Sequence, residues 1–185
     1  MIFREKKRIK TDIALVKAIS KGDEAAFREL LNQFQHKIRS YAFRFLGDAE
    51  EAKDIAQETF LKFYRSIDNY KDSGSINSYL YAIARNLCID YSRKKKPEVS
   101  KDFQGPIIHE TPFDSLDSKE NLSFIMSAIR DLPENQCSAV LLKYSEGLSC
   151  AEIAEVLSIS KSAVESLLVR GRQTLKKRLL TDIEN

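Results

Sequence analysis

The sequence predicts an all-α chain of two small helical domains joined by an extended linker, on three observations. Apolar residues recur at helical spacing nearly throughout, with no convincing strand-type alternation. Capping pairs and terminal glycines punctuate that pattern. Residues 97–117 hold three of the four prolines, a glycine and several acids with little periodicity, and so separate the first helical set from the second.

A short helix is expected over Asp12 to Ser20. After Gly22, Phe27, Leu30, Leu31, Phe34, Ile38, Tyr41, Ala42 and Phe45 mark one face of a long helix, which Gly47 ends. Asp48 with Glu51 makes a capping box, and Ala52, Ile55, Ala56, Thr59, Phe63 and Ile67 line the buried face of the next helix. Asn69 to Ser75 reads as a polar loop containing Gly74. Tyr79, Leu80, Ile83 and Leu87 place a further helix from Ile76 into the basic run Arg93 to Lys96, stopped at Pro97. Beyond the linker, Leu122, Ile125, Met126 and Ile129 mark a helix. Pro133 starts another, with Val140, Leu141 and Tyr144 inside, that Gly147 closes. Ser149 with Glu152 forms a second capping box for a helix carrying Ile153, Ala154 and Leu157. The turn Ser158-Ile159-Ser160 leads into a last helix carrying Val164, Leu167, Leu168, Leu175 and Leu179. The organisation is therefore a basic N-terminal extension over 1–10, a first domain over 11–96, a linker over 97–117 and a second domain over 118–185.

Composition narrows the function classes. The 185 residues are 43% hydrophobic and 31% charged, the balance of a folded globular protein, and two domains of this size each have room for a modest core. The longest apolar runs, such as Ala139 to Leu142, fall far short of the roughly 20 residues that span a bilayer. Met1-Ile2-Phe3-Arg4 has no apolar signal core, so a cytoplasmic protein without membrane insertion of its own is expected. Cys88, Cys137 and Cys150 are odd in number, widely spaced and without a Cys-x-x-Cys pattern, and read as reduced thiols. His36 and His109 lack a partnered nucleophile or a second ligand at metal spacing. No phosphate loop or nucleophile elbow is present, so no enzyme, cofactor or metal is expected. A net charge of +3 is mild for a protein that holds DNA alone, so either a partner supplies affinity or the charge is local.

Three segments carry chemistry. Ser149 to Gly171 has the layout of a helix-turn-helix. Ala154 permits close helix approach, and Ile159 and Val164 set the angle. Lys161, Ser162, Glu165, Ser166 and Val169 would then face base edges, with Arg170, Arg172, Lys176 and Lys177 placed for phosphates. An ordinary helical hairpin with a solvated face gives the same pattern. On the helix from Ile76, Tyr79, Tyr81 and Tyr91 alternate with Arg85, Asn86 and Arg93, as in proteins that stack and clamp single strands. Core-edge tyrosines and a solubilising helix end would look alike. Asp54, Gln57, Glu58, Leu61 and Lys62 form a mixed stripe suited to protein docking, or simply a solvated face. Asp54 and Glu58 as an acid-base or metal pair would need a pocket and further ligands.

Taken together the segments resemble the extracytoplasmic-function (ECF) group of the sigma-70 family. Gly22 to Phe27, Asp54-Ile55-Ala56-Gln57-Glu58-Thr59-Phe60, and Tyr79 to Leu87 with Asp90 and Arg93 are similar to successive stretches of that family's region two. Leu132 to Gln136, Tyr144 to Ser149 and Glu152-Ile153-Ala154 are similar to region four. The resemblance implies a sigma factor that binds core RNA polymerase and directs initiation at the promoters of a stress or envelope-response regulon, under the control of an anti-sigma factor. Asp54, Gln57, Glu58, Leu61 and Lys62 would dock on the polymerase. Tyr70, Lys71, Ser75, Asn77, Tyr79, Arg85, Asn86, Asp90 and Arg93 would capture and melt the minus-ten element, with a flipped base held by the loop. Lys161, Ser162, Glu165, Ser166, Arg170 and Arg172 would read the minus-thirty-five duplex, and the acidic linker would thread through the polymerase. Four positions depart from the family. Tyr79 stands where a Trp is frequent and Ile76 where an aromatic is, so stacking on this helix is expected to be weaker or differently placed. Glu165 and Leu167 stand where many relatives are basic, so the family's contacts do not carry over there, and Glu165 could instead accept from a cytosine amino group. A stand-alone helix-turn-helix regulator and a purely structural helical adaptor are the competing readings.

Overall fold

The structure, a computed structural model, describes residues 12–70, 75–95 and 116–183. Among these every regular element is helical: α1 (residues 12–20), α2 (Glu24–Leu46), α3 (Ala49–Arg65), a 3-10 turn (Ile67–Asn69), α4 (Ile76–Lys95), α5 (Leu116–Arg130), α6 (Glu134–Val140), a π turn (Leu141–Ser145), α7 (Cys150–Leu157) and α8 (Lys161–Ile183). The extension over 1–10, Lys71, Lys96 and most of the expected linker lie outside the described residues.

Local chemistry sets the helix ends. A helix start leaves backbone N–H groups without partners, and short acidic or hydroxyl side chains supply them. Asp23 accepts from Ala25 and Ala26 at 2.9 and 3.1 Å to open α2. Gly47, at φ +78°, closes it by donating to the Phe43 carbonyl at 2.7 Å. A Cβ at Gly47 would also sit 3.1 Å from Nε of Arg130, whose side chain would have to shift, but it is the positive φ that calls for glycine there. Asp48 accepts from Glu50 and Glu51 to open α3, while the Glu51 carboxylate engages Tyr91. Ser75 accepts from Asn77, and Asp12 reaches from α1 to accept from Ile76, so α4 is capped both locally and at long range.

The first-half core is built from Leu30, Ile38, Tyr41, Ala42, Phe63 and Leu80, and the second-half core from Leu141, Leu142, Ile153 and Val164. These cores are continuous. α7 packs on α4, and α2 packs on α5 and the π turn, so that buried residues of both halves form one cluster. α8 crosses α6 at Gly171, where an added Cβ would meet Cγ2 of Val140 at 3.0 Å.

Three expected apolar positions are not interior. α5 buries its C-terminal turns through Ala128 and Ile129, while Leu122 and Ile125 upstream remain 47% and 38% exposed. Tyr144 is 59% exposed because the helix begun at Glu134 widens into a π turn. The Glu146 amide donates to the Leu141 carbonyl five residues back, and that register turns Tyr144 outward.

Candidate nucleic-acid interface

The helix-turn-helix is formed by α7, its turn and the start of α8. Ser149 and Glu152 make the reciprocal capping box: the Ser149 amide donates to Glu152 at 2.9 Å and the Glu152 amide donates to Ser149 Oγ at 3.2 Å. Ser158 ends α7 in the left-handed region at φ 54°, the one positive-φ non-glycine among the described residues. Ser160 then caps α8 through the Ala163 amide. With Ile153, Val164 and Leu168 buried between the helices, Lys161, Ser162, Glu165, Ser166, Val169, Arg170 and Arg172 all face outward, as do Lys176 and Lys177. Lys161 and Glu165 approach to only 4.0 Å and both stay more than half exposed, a loose pair that a base edge or phosphate can displace.

The expected single-strand face on α4 is divided. Tyr79 is partly buried at the base of the loop, edge-on to Phe63 at 6.1 Å and Tyr70 at 5.6 Å, with its hydroxyl 2.9 Å from Ser66 Oγ. Asn77 and Ser75 sit in the first turn of the helix or just before it, and Asn86 and Asp90 are exposed further along. Tyr81, grouped with the stacking tyrosines on sequence, is instead 1% exposed. It packs edge-on against Tyr41 at 5.4 Å and donates to Glu146 at 2.5 Å, so its ring is closed to a base. Burial pushes its phenol far above the usual tyrosine range, and the Glu146 carboxylate adds to the push, so the hydroxyl is a fixed neutral donor. Tyr91 and Lys95 are tied to the start of α3: the Lys95 ammonium lies 5.4 Å over the Tyr91 ring and 3.3 Å from Asp48.

Two α4 cations meet the second half of the chain. Arg85 donates to Asn135 at 2.5 Å and to Asn86 at 3.1 Å. Arg93 grips Glu134 bidentately, at 2.8 and 3.2 Å. Glu134, Asn135 and Glu146 belong to segments the sequence marks only as matching the family, and no local pattern singles them out as partners for α4.

On α3, Asp54, Gln57, Leu61 and Lys62 are exposed and Glu58 is half-buried. Tyr64 extends this stripe one turn past Leu61, a helical spacing that could have marked it. It stands edge-on to Phe27 at 5.5 Å, and with Ile19, Leu31 and Leu61 it lines a groove of about 400 Å³. Among the described residues no cluster of three or more His, Cys, Asp or Glu could hold a metal. Cys88 and Cys137 are buried free thiols, and Cys150 is a half-buried one. Burial pushes Cys137 up to about 12, with Arg130 drawing it partly back, and burial together with Cys137 pushes Cys88 up as well. Neither is a reactive thiolate.

Among the described residues, an all-helical fold that carries a helix-turn-helix with an outward basic-polar helix, beside a cation-bearing α4 and an exposed mixed stripe on α3, has the make-up of the nucleic-acid-binding class. Residues 30–98 match Sigma-70 region 2 and residues 125–175 match Sigma-70, region 4. The chain is 35% identical over 176 residues to the ECF RNA polymerase sigma factor SigW of Bacillus subtilis, covering 89% of this chain and 94% of that one. It is 33% identical over 180 residues to the RNA polymerase sigma-H factor of Pseudomonas aeruginosa, covering 91% and 93%. Its fold is shared with CnrH, solved in complex with the cytosolic domain of CnrY, at TM-score 0.73, 22% identity and coverage of 92% and 98%. It is shared also with the sigma factor RpoE of Bartonella quintana, solved with the anti-sigma factor NepR, at TM-score 0.65, 24% identity and coverage of 84% and 98%. The chain belongs to the ECF group of the sigma-70 family of RNA polymerase sigma factors. It is a transcription-initiation factor, and the match to both regions leaves the stand-alone regulator and the structural adaptor without support.

Proposed function

We propose that promoter recognition is divided between two faces, with a third face holding core polymerase. Lys161, Ser162, Glu165, Ser166, Arg170 and Arg172 read the minus-thirty-five duplex. Tyr70, Lys71, Ser75, Asn77, Tyr79, Arg85, Asn86, Asp90 and Arg93 take the minus-ten strand, and Asp54, Gln57, Glu58, Leu61 and Lys62, extended by Tyr64, dock the polymerase. The observation that carries this reading is the outward presentation of every named α8 side chain on a fully capped helix-turn-helix, within a chain whose family match covers both regions. Charged and polar groups at the start of a recognition helix reach base edges and phosphates together.

The other partner is an anti-sigma factor, in keeping with the family. CnrH and the Bartonella RpoE, which share this fold, were each solved with a bound protein partner, named as an anti-sigma factor for RpoE. Among the described residues no helix is long and apolar enough to cross a membrane, and the protein works in the cytoplasm beside the polymerase. The chain is not an enzyme in its own right and carries no cofactor. Its regulon is one of stress or envelope response.

Run-off transcription on fragmented genomic DNA, with core polymerase and the purified chain, tests the reading. Discrete promoter-dependent transcripts are the expected result. Their absence on every template, or transcripts unchanged after Arg170→Ala and Arg172→Ala together, would overturn the assignment of these faces.

A further inference from the structure

Three aromatic rings meet where α3 ends and α4 begins. Tyr79 of α4 stands edge-on to Phe63 at 6.1 Å and to Tyr70 at 5.6 Å. Phe63 is fully buried, while Tyr70 and Tyr79 are half-buried. Edge-to-face contacts favour this arrangement but tie no single atom. The tie is at the far end of the Tyr79 ring, where the hydroxyl lies 2.9 Å from Oγ of Ser66, 13 positions earlier in the chain.

Ser66 is the residue that ends α3. A serine hydroxyl has one proton to donate and two lone pairs to accept with. Ser66 gives its proton to the Lys62 carbonyl at 2.7 Å, one turn back in α3. Its Oγ therefore accepts from Tyr79, and the phenol is the donor. With that proton engaged inside the protein, Tyr79 meets a nucleic acid through its ring and not as a hydroxyl donor. The ring is held at both ends, its Cβ by α4 and its hydroxyl by the last turn of α3.

The same serine stands where the neighbouring loop begins. Directly after it the 3-10 turn Ile67–Asn69 redirects the chain, and the Tyr70 amide closes that turn on the Ile67 carbonyl at 3.1 Å. Ser66 thus holds Tyr79 beside the turn that delivers Tyr70. An untied Tyr79 would spread over its χ1 rotamers, and a strand that stacks on one of them would find only that fraction ready.

We infer that Ser66 is a positioning residue for minus-ten capture: it receives the Tyr79 hydroxyl and so presets the Tyr70–Tyr79 pair for the unpaired strand. The inference rests on the reading of Tyr70 and Tyr79 as minus-ten contacts. Ser66 acts through Tyr79.

Holoenzyme assembled from core polymerase and the full chain provides the test, on a promoter recovered by run-off transcription and carrying a fluorescent adenine analogue in its minus-ten element. Fluorescence reads strand opening, and gel retardation at low temperature reads initial duplex binding. Ser66→Ala and Tyr79→Phe each delete the hydrogen bond, and each should slow opening roughly two- to tenfold while initial binding stays unchanged. Ser66→Thr retains a hydroxyl and should open the promoter like the unmodified chain. The double variant should be no slower than the slower single one, because both substitutions remove the same bond. Tyr79→Phe leaves the Ser66–Lys62 bond in place, so it reads the tie even should Ser66→Ala weaken the end of α3. Either single variant opening at the unmodified rate, or effects that add in the double variant, overturns the inference. So does a loss of binding in step with opening, which would make Ser66 a helix cap alone. Tyr79→Ala separates the two readings. If it opens promoters at the unmodified rate, the minus-ten role of Tyr79 falls and the inference with it. If it is slow while Tyr79→Phe and Ser66→Ala are not, the inference alone falls.

Discussion

Asp12 accepts the backbone N–H of Ile76 at 3.2 Å across 64 positions of chain, so the short α1 caps α4, the helix proposed to take the minus-ten strand. Both groups are buried, and an amide left without a partner there carries its full desolvation cost. Asp12→Ala should therefore destabilise the protein by about 0.5–2 kcal/mol. In a chain of this length that is a fall of about 2–4 °C in Tm per kcal/mol, read by a circular-dichroism melt. Asp12→Asn retains an acceptor and should recover most of the loss. An alanine variant that melts with the unmodified protein would remove the cap from any account of α4.

Gly171 lies in the middle of α8, where alanine normally stabilises a helix by up to about 1 kcal/mol over glycine. Here a new Cβ would meet Val140 Cγ2 at 3.0 Å and the Gln136 Cβ at 3.8 Å. Overpacking a filled interior costs about 1–3 kcal/mol, so the clash should outweigh the propensity gain and Gly171→Ala should destabilise. The sign should reverse in a Val140→Ala background, where the methyl groups have room. Urea unfolding of the four members of this cycle gives the coupling, and a stabilising Gly171→Ala in the unmodified protein would show that α6 and α8 are not in close contact.

What was legible in the sequence was local. Gly47, Asp48 and the Ser149–Glu152 box act within one turn of chain, and their chemistry is visible in the order of residues. The α8 face was legible for the same reason, since a single helix period places Lys161, Glu165 and Arg170 opposite Val164 and Leu168. Tyr81 was not. It lies two residues from Tyr79 on the same helix and is likewise a tyrosine, and it is the packing of Tyr41 and the arrival of Glu146 from 65 residues away that separate the buried ring from the partly buried one. That arrival depends on a π turn, whose i→i+5 register departs from the 3.6-residue period on which sequence patterns are read. Leu122 and Ile125 show the converse: their spacing is helical, but they stay 47% and 38% exposed.

Asp48 links acid stability to the α3 cap. Burial resists its ionisation, but the Glu51 and Glu50 amides and the Lys95 ammonium outweigh that, and its carboxyl ionises below the usual range. A lowered folded-state pKa contributes stability that is present above the unfolded value of about 3.9 and is lost as pH falls through the folded value. Asp48→Asn keeps a capping oxygen and discards the charge, so it should lower Tm at neutral pH and make progressively less difference below about pH 4. Melts of both proteins across that window measure the gap. A gap that stays constant with pH would assign the effect to shape and not to charge.

Arg170 and Glu165 should fail differently if the α8 face reads the minus-thirty-five duplex. A phosphate contact has no sequence information, so Arg170→Ala should weaken holoenzyme binding across all promoters and reduce the slope of log affinity against log salt by about 1. Glu165 faces outward one turn into the helix, held only loosely by Lys161 at 4.0 Å, and its carboxylate can accept a hydrogen bond from one base and no phosphate. Glu165→Gln should therefore alter the preferred base pair at a single position, with discrimination there changing by about 1–3 kcal/mol. Selection of promoters from a randomised pool by holoenzyme carrying each variant distinguishes the two outcomes. Identical selected sequences from the Glu165→Gln and unmodified proteins would show that Glu165 reads no base.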